Sequence, residues 1–142
     1  MSRRRTRFRS SGSRALSRLA VACSFVVVLG LTGCAPDSGG AARAAEDFRQ
    51  AVADGDPSAA CSMLTEHTRE EAAATTSCEE ELESLELPSD GNVVSAESYG
   101  REAIVEFEDD TVFLTVSGSG WQVTGAGCEE HDESSYNCEV GG

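Results

Sequence analysis

Cysteines are the residues of this chain whose chemistry depends most on their surroundings. The 142-residue sequence contains six, and four of them follow residue 60: Cys61, Cys78, Cys128 and Cys138. Successive members are 17, 50 and 10 positions apart, without the Cys-x-x-Cys pairs of structural zinc sites, so disulfides are favoured over metal binding. Disulfides persist in oxidising compartments, so this interpretation requires that the chain be exported.

The beginning of the chain has the composition of an export signal. Seven arginines and no acidic residue lie within residues 1–18, and an apolar segment of thirteen residues, 19–31, follows. A basic region, a short apolar region and small residues before a cleavage point are the parts of a secretory signal. A membrane-spanning helix needs roughly 20 apolar residues. We therefore predict that residues 1–33 are a signal peptide.

Leu31-Thr32-Gly33-Cys34, directly after the apolar segment, resembles the lipobox of bacterial lipoproteins. The resemblance implies that Cys34 receives a diacylglyceryl group on its sulfur and becomes the first residue after cleavage. Two acyl chains anchor a protein stably, whereas one chain holds it only marginally. We expect an extracytoplasmic protein on the cell membrane, with residues 34–40 as a lipidated tether. An uncleaved anchor, or an ordinary signal with a chance cysteine, is the alternative.

The part of the chain after the leader, residues 34–142, is strongly acidic. All 25 acidic residues lie there against four arginines, which gives this part a formal charge of −21. Such a surface argues against nucleic acid as a partner and is repelled by anionic lipid headgroups. Large apolar side chains are also scarce, as in disordered chains. Their periodic placement and the cysteines nevertheless indicate one folded domain, residues 41–142.

Four helices are predicted in the first half of this domain. Residues 41–54 repeat apolar side chains at three- and four-residue steps, which indicates a helix with one buried face. Asp56-Pro57 provides an N-cap and a first-turn proline for a second helix over 57–64. Thr68–Glu71 and Ser77–Glu80 each fit a capping box and predict two further short helices.

The second half of the domain changes to an alternating pattern. About four antiparallel strands are predicted; three contain Val94–Ser98, Ala103–Phe107 and Val112–Val116, and the last begins at Trp121. Ser117-Gly118-Ser119-Gly120 is expected to be a hairpin connection, because a strand follows it where a phosphate-binding loop needs a helix. Helices followed by a meander predict an α+β domain, with the helices packed on one face of a curved antiparallel sheet.

The four later cysteines allow three disulfide connectivities. We favour Cys61–Cys78 and Cys128–Cys138, because each pair falls within one local unit of the predicted fold. The first bridge would stabilise the domain by about 3 kcal/mol on the chain-entropy argument. The second would close the acidic tail as a loop joined at its base.

Two groups of residues resemble the NTF2-like (cystatin-like cone) superfamily. They are Phe48, Ala51, Asp54-Gly55-Asp56, Ala60-Cys61 and Leu64 in the helices, and Gly120-Trp121-Gln122-Val123 late in the meander. Gly127-Cys128 followed by Tyr136-Asn137-Cys138 is similar, more narrowly, to small exported lipoproteins of Gram-positive bacteria. The resemblance covers about residues 41–140. It implies a cone whose sheet wraps around an apolar pocket, and some members are isomerases, dehydratases or hydrolases.

Histidines and acidic runs are the remaining candidates for chemistry. His67 and His131 lie in polar stretches and match no catalytic motif of that superfamily. Glu129-Glu130-His131-Asp132-Glu133 could bind Ca²⁺ or another divalent ion, but it lacks the spaced ligands and glycine of an EF-hand. Acidic runs of this kind are usually solvated surfaces, and we expect the same of the glutamates within Glu79–Glu86.

Aromatic residues are the candidates for a ligand pocket. Trp121 and Tyr99 could line such a pocket or contact a partner. A single tryptophan at the start of a last strand is more often part of the core, so we expect Trp121 to be buried there.

The sequence therefore predicts no catalytic residue, no cofactor site and no metal site. We expect a non-catalytic domain that binds a small apolar ligand or an envelope protein partner, anchored to the membrane through the lipid on Cys34. The alternatives are an NTF2-like enzyme acting on a small molecule, and an acidic surface protein that buffers cations. A carboxylate or histidine inside the cone, away from solvent, would favour the enzyme.

Overall fold

The computed structural model describes residues 37–118, 120–132 and 135–141. This part of the chain forms an α+β fold of four helices followed by five strands. The helices are α1 (Ser38–Ala53), α2 (Pro57–Met63), α3 (Glu66–Ala72) and α4 (Cys78–Ser84). The strands are β1 (Val93–Tyr99), β2 (Glu102–Phe107), β3 (Thr111–Ser117), β4 (Gly120–Asp132) and β5 (Ser135–Gly141). The predicted fold class is confirmed at this level.

Helix α1 begins three residues earlier than predicted. The Asp37 carboxylate accepts a hydrogen bond from the Gly39 N–H at 3.0 Å and caps the helix, so Ser38–Gly40 are helical instead of forming part of a tether. The helix buries Ala41, Ala45, Phe48 and Ala51, the face that the periodicity predicts. It ends before Gly55, whose positive φ of 66° suits glycine.

The shorter helices begin at capping residues. Asp56 caps α2 through the Ala59 N–H at 2.9 Å, and Ser77 and Glu80 form the predicted capping box of α4. The predicted capping box Thr68–Glu71 is wrong. Thr65 caps α3 instead, and Thr68 is buried within the helix, where its hydroxyl donates to the Thr124 carbonyl oxygen at 3.3 Å.

The sheet is curved, open and antiparallel, with the strands in sequence order from β1 to β5. It contains five strands where about four were predicted. The acidic tail, expected to be a loop, is a strand pair in which β4 continues to Asp132 and Cys128 lies opposite Cys138. Backbone pairing and the cross-strand disulfide between these cysteines outweigh the low strand propensity of the acidic residues.

The core lies between α1 and one face of the sheet. Buried Ala103, Val105 and Phe107 of β2 alternate with outward-facing residues, as predicted. The largest side chains with less than 2% exposure are Phe48, Leu64, Leu114, Val105, Val112, Val123 and Cys128. Apart from Cys128, whose disulfide lies on the other face of the sheet, these side chains pack closely and fill the layer between helix and sheet.

Trp121, expected to be buried in the core, is only half-buried and packs against this core from outside it. It packs against the start of α1, where a Cβ atom added to Gly40 would lie 3.1 Å from its Nε1 atom. The other predicted disulfide is also present: Cys61–Cys78 joins α2 to α4. Contacts within the domain itself therefore hold the helices to each other and to the sheet.

Candidate functional site

A broad groove of about 1140 Å³ lies on the face of the sheet opposite α1. Its floor comes from residues that alternate with the core residues, such as Ile104 beside Val105 and Phe113 beside Leu114. Helix α3 forms one wall, and the β1–β2 hairpin lies at the far end. The groove is therefore built on the outer face of the sheet, where the helices leave it uncovered.

Two aromatic rings form the centre of the floor. Phe113 of β3 and Tyr136 of β5 meet edge to face, with 5.0 Å between ring centroids and an interplanar angle of 76°. Gly125 on β4 lies opposite Phe113, and a Cβ there would lie 3.3 Å from the Cys138 sulfur and 3.5 Å from the Cys128 sulfur. Glycine at this position thus leaves room for the disulfide beside the rings.

Strand β4 fixes the position of the α3 wall. Leu64 forms a parallel bridge with Val123, and the Thr65 N–H donates to the Val123 carbonyl oxygen at 2.9 Å. The buried Thr68 hydroxyl, bonded to the Thr124 carbonyl oxygen, adds a second attachment. Because α3 is held at both points by β4, its exposed glutamates face the groove.

The walls of the groove carry mainly negative charge. Four glutamates line it, Glu66, Glu70, Glu71 and Glu102. Its two basic side chains are both engaged: Arg101 donates to the Val116 carbonyl oxygen, and His67 Nε2 lies 3.4 Å from Glu71 Oε1. A bound cation would therefore meet carboxylates with few competing positive charges.

Tyr99 marks the far end of the groove. It is 59% exposed, unusually open for a large aromatic residue in this domain. Its hydroxyl donates to the Glu97 carboxylate, and this hydrogen bond raises the pKa of Tyr99. Of the two aromatic candidates from the sequence, Tyr99 lines the groove, whereas Trp121 packs against the core.

A second cluster of charges is buried at the other side of the sheet. The Arg49 guanidinium contacts both oxygens of Asp109, at 2.8 and 3.0 Å, and also forms an ion pair with Asp110. It lies 4.1 Å from the centre of the Phe107 ring, a cation–π contact. Exposure of the Arg49 and Asp110 side chains is 4% and 3%. The cluster clamps α1 to the β2–β3 turn.

Asp110 is a buried carboxylate with a perturbed pKa. Burial raises its pKa, an effect that the charge of Arg49 only partly offsets. One of its oxygens is bound to Arg49 and the other accepts the Gly127 N–H at 3.2 Å. Since both oxygens are engaged, the geometry favours a structural role over proton transfer to a ligand.

Asp110 and Asp109 also border a small acidic cleft of about 260 Å³. The other acidic residues of this cleft are Glu86, Glu129 and Glu139. Within the described ranges, however, no three His, Cys, Asp or Glu side chains come close enough to hold a metal ion. The cleft is a concentration of negative charge without the geometry of a metal site.

The predicted candidate residues are distributed widely. His67 is 81% exposed on its side chain at the edge of the groove, and His131 is exposed near the end of β4. Glu129 to Asp132 extend along that strand instead of forming a loop, and Glu133 lies outside the described residues. The Glu79–Glu86 glutamates are mostly solvated on and after α4, as expected.

The predicted anchor lies outside the described residues. This holds for the proposed leader, for Cys34 and for the first residues of the tether. Among the helices that the structure describes, none is long and apolar enough to cross a membrane.

The Arg49 cluster was not predicted from the sequence, although a signal for it exists. Arg49 lies four residues after Ala45 and three before Val52, on the apolar face of the predicted helix. A charged side chain in that register needs a buried partner, and the acidic pair Asp109-Asp110 provides it. The groove gave no comparable signal, because its residues come from distant parts of the chain.

No protein-family model, no curated protein and no solved structure matches the chain.

Proposed function

We propose that this protein is a lipoprotein on the extracytoplasmic face of a bacterial cell membrane, and that its domain binds a partner or ligand in the groove. The basic leader and Leu31-Thr32-Gly33-Cys34 support the membrane location. The two disulfides, Cys61–Cys78 and Cys128–Cys138, support export, because such bonds persist in oxidising compartments.

The observation that carries the binding proposal is the position of the groove. Its floor exposes Ile104 and the Phe113–Tyr136 pair on a sheet face that no described helix covers. Partly apolar concave surfaces with a few polar groups are the usual form of binding sites. The opposite face of the sheet is already occupied by the packed core, so a ligand that binds on the sheet would bind on the groove side.

We further propose that the domain is an NTF2-like, cystatin-like cone. The order of elements and the curved antiparallel sheet with helices on one face support this proposal. In such a cone the ligand pocket would lie between helices and sheet, the layer that Phe48 and Leu114 fill here. Binding on the outer face would therefore be a departure from the pocket that the resemblance implies.

Membrane anchoring is tested by replacing Cys34 with alanine. We expect the C34A variant to leave the membrane fraction or to remain unprocessed in an exporting bacterium, because no lipid can be attached. Fractionation and mass spectrometry of the N-terminus measure both outcomes. Membrane retention equal to that of the unaltered protein, with a cleaved N-terminus, would refute the lipoprotein assignment.

Groove binding is tested by native mass spectrometry of the protein purified from an exporting host. A bound mass that is lost in the Y136A variant, but kept in the V94S variant, would support the groove. Val94 is a suitable control because it is 65% exposed and is not part of the groove lining. A bound mass unaffected by Y136A would place the ligand elsewhere.

An enzyme of the same superfamily is the second candidate, and Asp110 is the observation in its favour. This carboxylate is buried, has a raised pKa and borders the small acidic cleft. The enzyme proposal predicts turnover of a small ester, epoxide or ketosteroid-like substrate, with loss of turnover in a folded D110N variant. Turnover that survives D110N would exclude Asp110 as the catalytic base.

A further inference from the structure

We infer that the groove takes an extended basic peptide segment of a protein partner, with its apolar side chains on the floor and its lysines or arginines against the glutamates. This inference rests on the proposed binding function and specifies the chemistry of the partner. We favour a peptide because the charge of the groove, the composition of its floor and its length all fit an extended basic segment.

The charge of the groove selects a cation. Glu66, Glu70 and Glu71 line one wall and Glu102 lies across from them. Among the described residues of this lining, His67 Nε2 lies within 3.4 Å of Glu71 Oε1. Carboxylates left facing a bound ligand lose solvation, which is unfavourable unless a positive group pairs with them. A basic segment provides that pairing, and the acidic surface attracts it over a distance.

The floor of the groove selects apolar side chains in addition to charge. Ile104, Phe113 and Tyr136 present an aliphatic and two aromatic surfaces beside the Cys128–Cys138 disulfide. A purely apolar molecule would bury this floor. It would also remove water from the neighbouring carboxylates without supplying a cation to pair with them. A purely polar cation would leave the aromatic surface uncovered. A segment that alternates apolar and basic residues satisfies both requirements.

The length of the groove favours an extended segment over a small molecule. The lining runs from Tyr99 on β1 to Tyr136 on β5, four strand spacings apart. At about 4.8 Å per spacing the width across the five strands is roughly 19 Å, and an extended peptide covers it in about six residues at about 3.3 Å each. The volume of about 1140 Å³ also exceeds the roughly 300–1,000 Å³ of ordinary small-molecule pockets.

The test uses calorimetric titration of the protein, as an exporting host delivers it, with three capped hexapeptides. The first alternates lysine and phenylalanine, the second glutamate and phenylalanine, and the third serine and phenylalanine. Phenethylamine serves as the small organic cation. We expect the lysine peptide to bind tightest, to bind more weakly at high salt, and to exceed phenethylamine by at least about tenfold in affinity.

Matched charge variants locate the binding. The groove variant E66Q/E70Q/E71Q removes three negative charges from the α3 wall, and the control variant E46Q/E79Q/E83Q removes three from exposed positions on α1 and α4. Each exposed ion pair contributes modestly to affinity, so removing three charges from the groove should weaken binding of the lysine peptide roughly tenfold, and the control variant should weaken it much less. Melting temperatures of both variants verify that they remain folded.

The possible results distinguish a failure of the basic-peptide inference from a failure of groove binding itself. Tighter binding of the serine peptide than of the lysine peptide, or equal weakening by both triple variants, overturns the basic segment while groove binding stands. Equal affinity for phenethylamine overturns the peptide in favour of a small organic cation. No binding of any probe, with no mass retained in native mass spectrometry, overturns both.

Discussion

The Arg49 cluster and the groove are both built from carboxylates beside aromatic rings, but one is closed and the other is open. In the cluster, Asp110 is 3% exposed on its side chain and both of its oxygens have partners. In the groove, Glu66, Glu70 and Glu102 have no ion-pair partner among the described residues, and the aromatic floor lies uncovered. Satisfied buried charges hold a fold together, whereas partnerless charges around an apolar floor are available to a ligand.

The largest difference between the two regions should appear in stability. Replacing Arg49 with alanine leaves Asp110 buried without its cation, and such a loss costs about 3–5 kcal/mol. We expect urea denaturation of R49A to show that decrease in the free energy of unfolding. A decrease below about 1 kcal/mol would mean that the cluster contributes little to the fold.

The two disulfides differ in their relation to the groove. Removing either one, as C61A/C78A or C128A/C138A, should destabilise the domain by about 3 kcal/mol, because each closes a loop of similar length. Only C128A/C138A alters the groove floor, beside Gly125. Peptide titration of both folded variants at low temperature should therefore show weakened binding for C128A/C138A alone. Equal affinities would remove the disulfide from the site.

Titration of Asp110 should make its contribution to the free energy of unfolding depend on pH. Burial raises its folded pKa above the unfolded value of about 3.9, so the folded state binds the proton more tightly. Its contribution to the free energy of unfolding is then greatest below that unfolded value and falls as the pH rises through the folded pKa. The free energy of unfolding of the unaltered protein minus that of D110N should decrease over this range. An increase would contradict the raised pKa.

The smallest effect on stability is expected in the groove. The E102Q variant removes one exposed carboxylate from the lining and should change the free energy of unfolding by no more than about 0.5 kcal/mol. Its affinity for the lysine hexapeptide should nevertheless fall severalfold. Thermal denaturation and calorimetry on the same preparation separate the two effects. A large loss of stability would show that Glu102 supports the fold.

Local patterns were sufficient to predict most of the fold. The spacing in α1, the Asp56 and Ser77 caps and the alternation in β2 and β3 each act over a few residues, so the sequence displays them directly. The fifth strand was missed because its acidic flanks resemble a solvated loop. The cap of α3 was misassigned because Thr65 and Thr68 are both threonines, and only the contact with Thr124 distinguishes them.

The sites were much less predictable than the fold. Phe113 and Tyr136 are 23 positions apart in the sequence, and α3 reaches them only because Leu64 pairs with Val123. Such contacts depend on strand register and on bulges in β4, which periodicity does not specify. Arg49 could have been recognised from the sequence, because it lies on the apolar face of the predicted helix and a charge there requires a partner.

We propose that the groove, and not the side of the sheet that carries Arg49, is the binding surface. This proposal is tested most directly by two-dimensional amide NMR of the isotope-labelled protein during titration with the lysine–phenylalanine hexapeptide. We expect the amide signals of Ile104, Phe113, Tyr136 and α3 to shift and those of Arg49 and Asp110 to remain unchanged. Shifts confined to Arg49, Asp110 and their neighbours, or an unchanged spectrum at millimolar peptide, would contradict it.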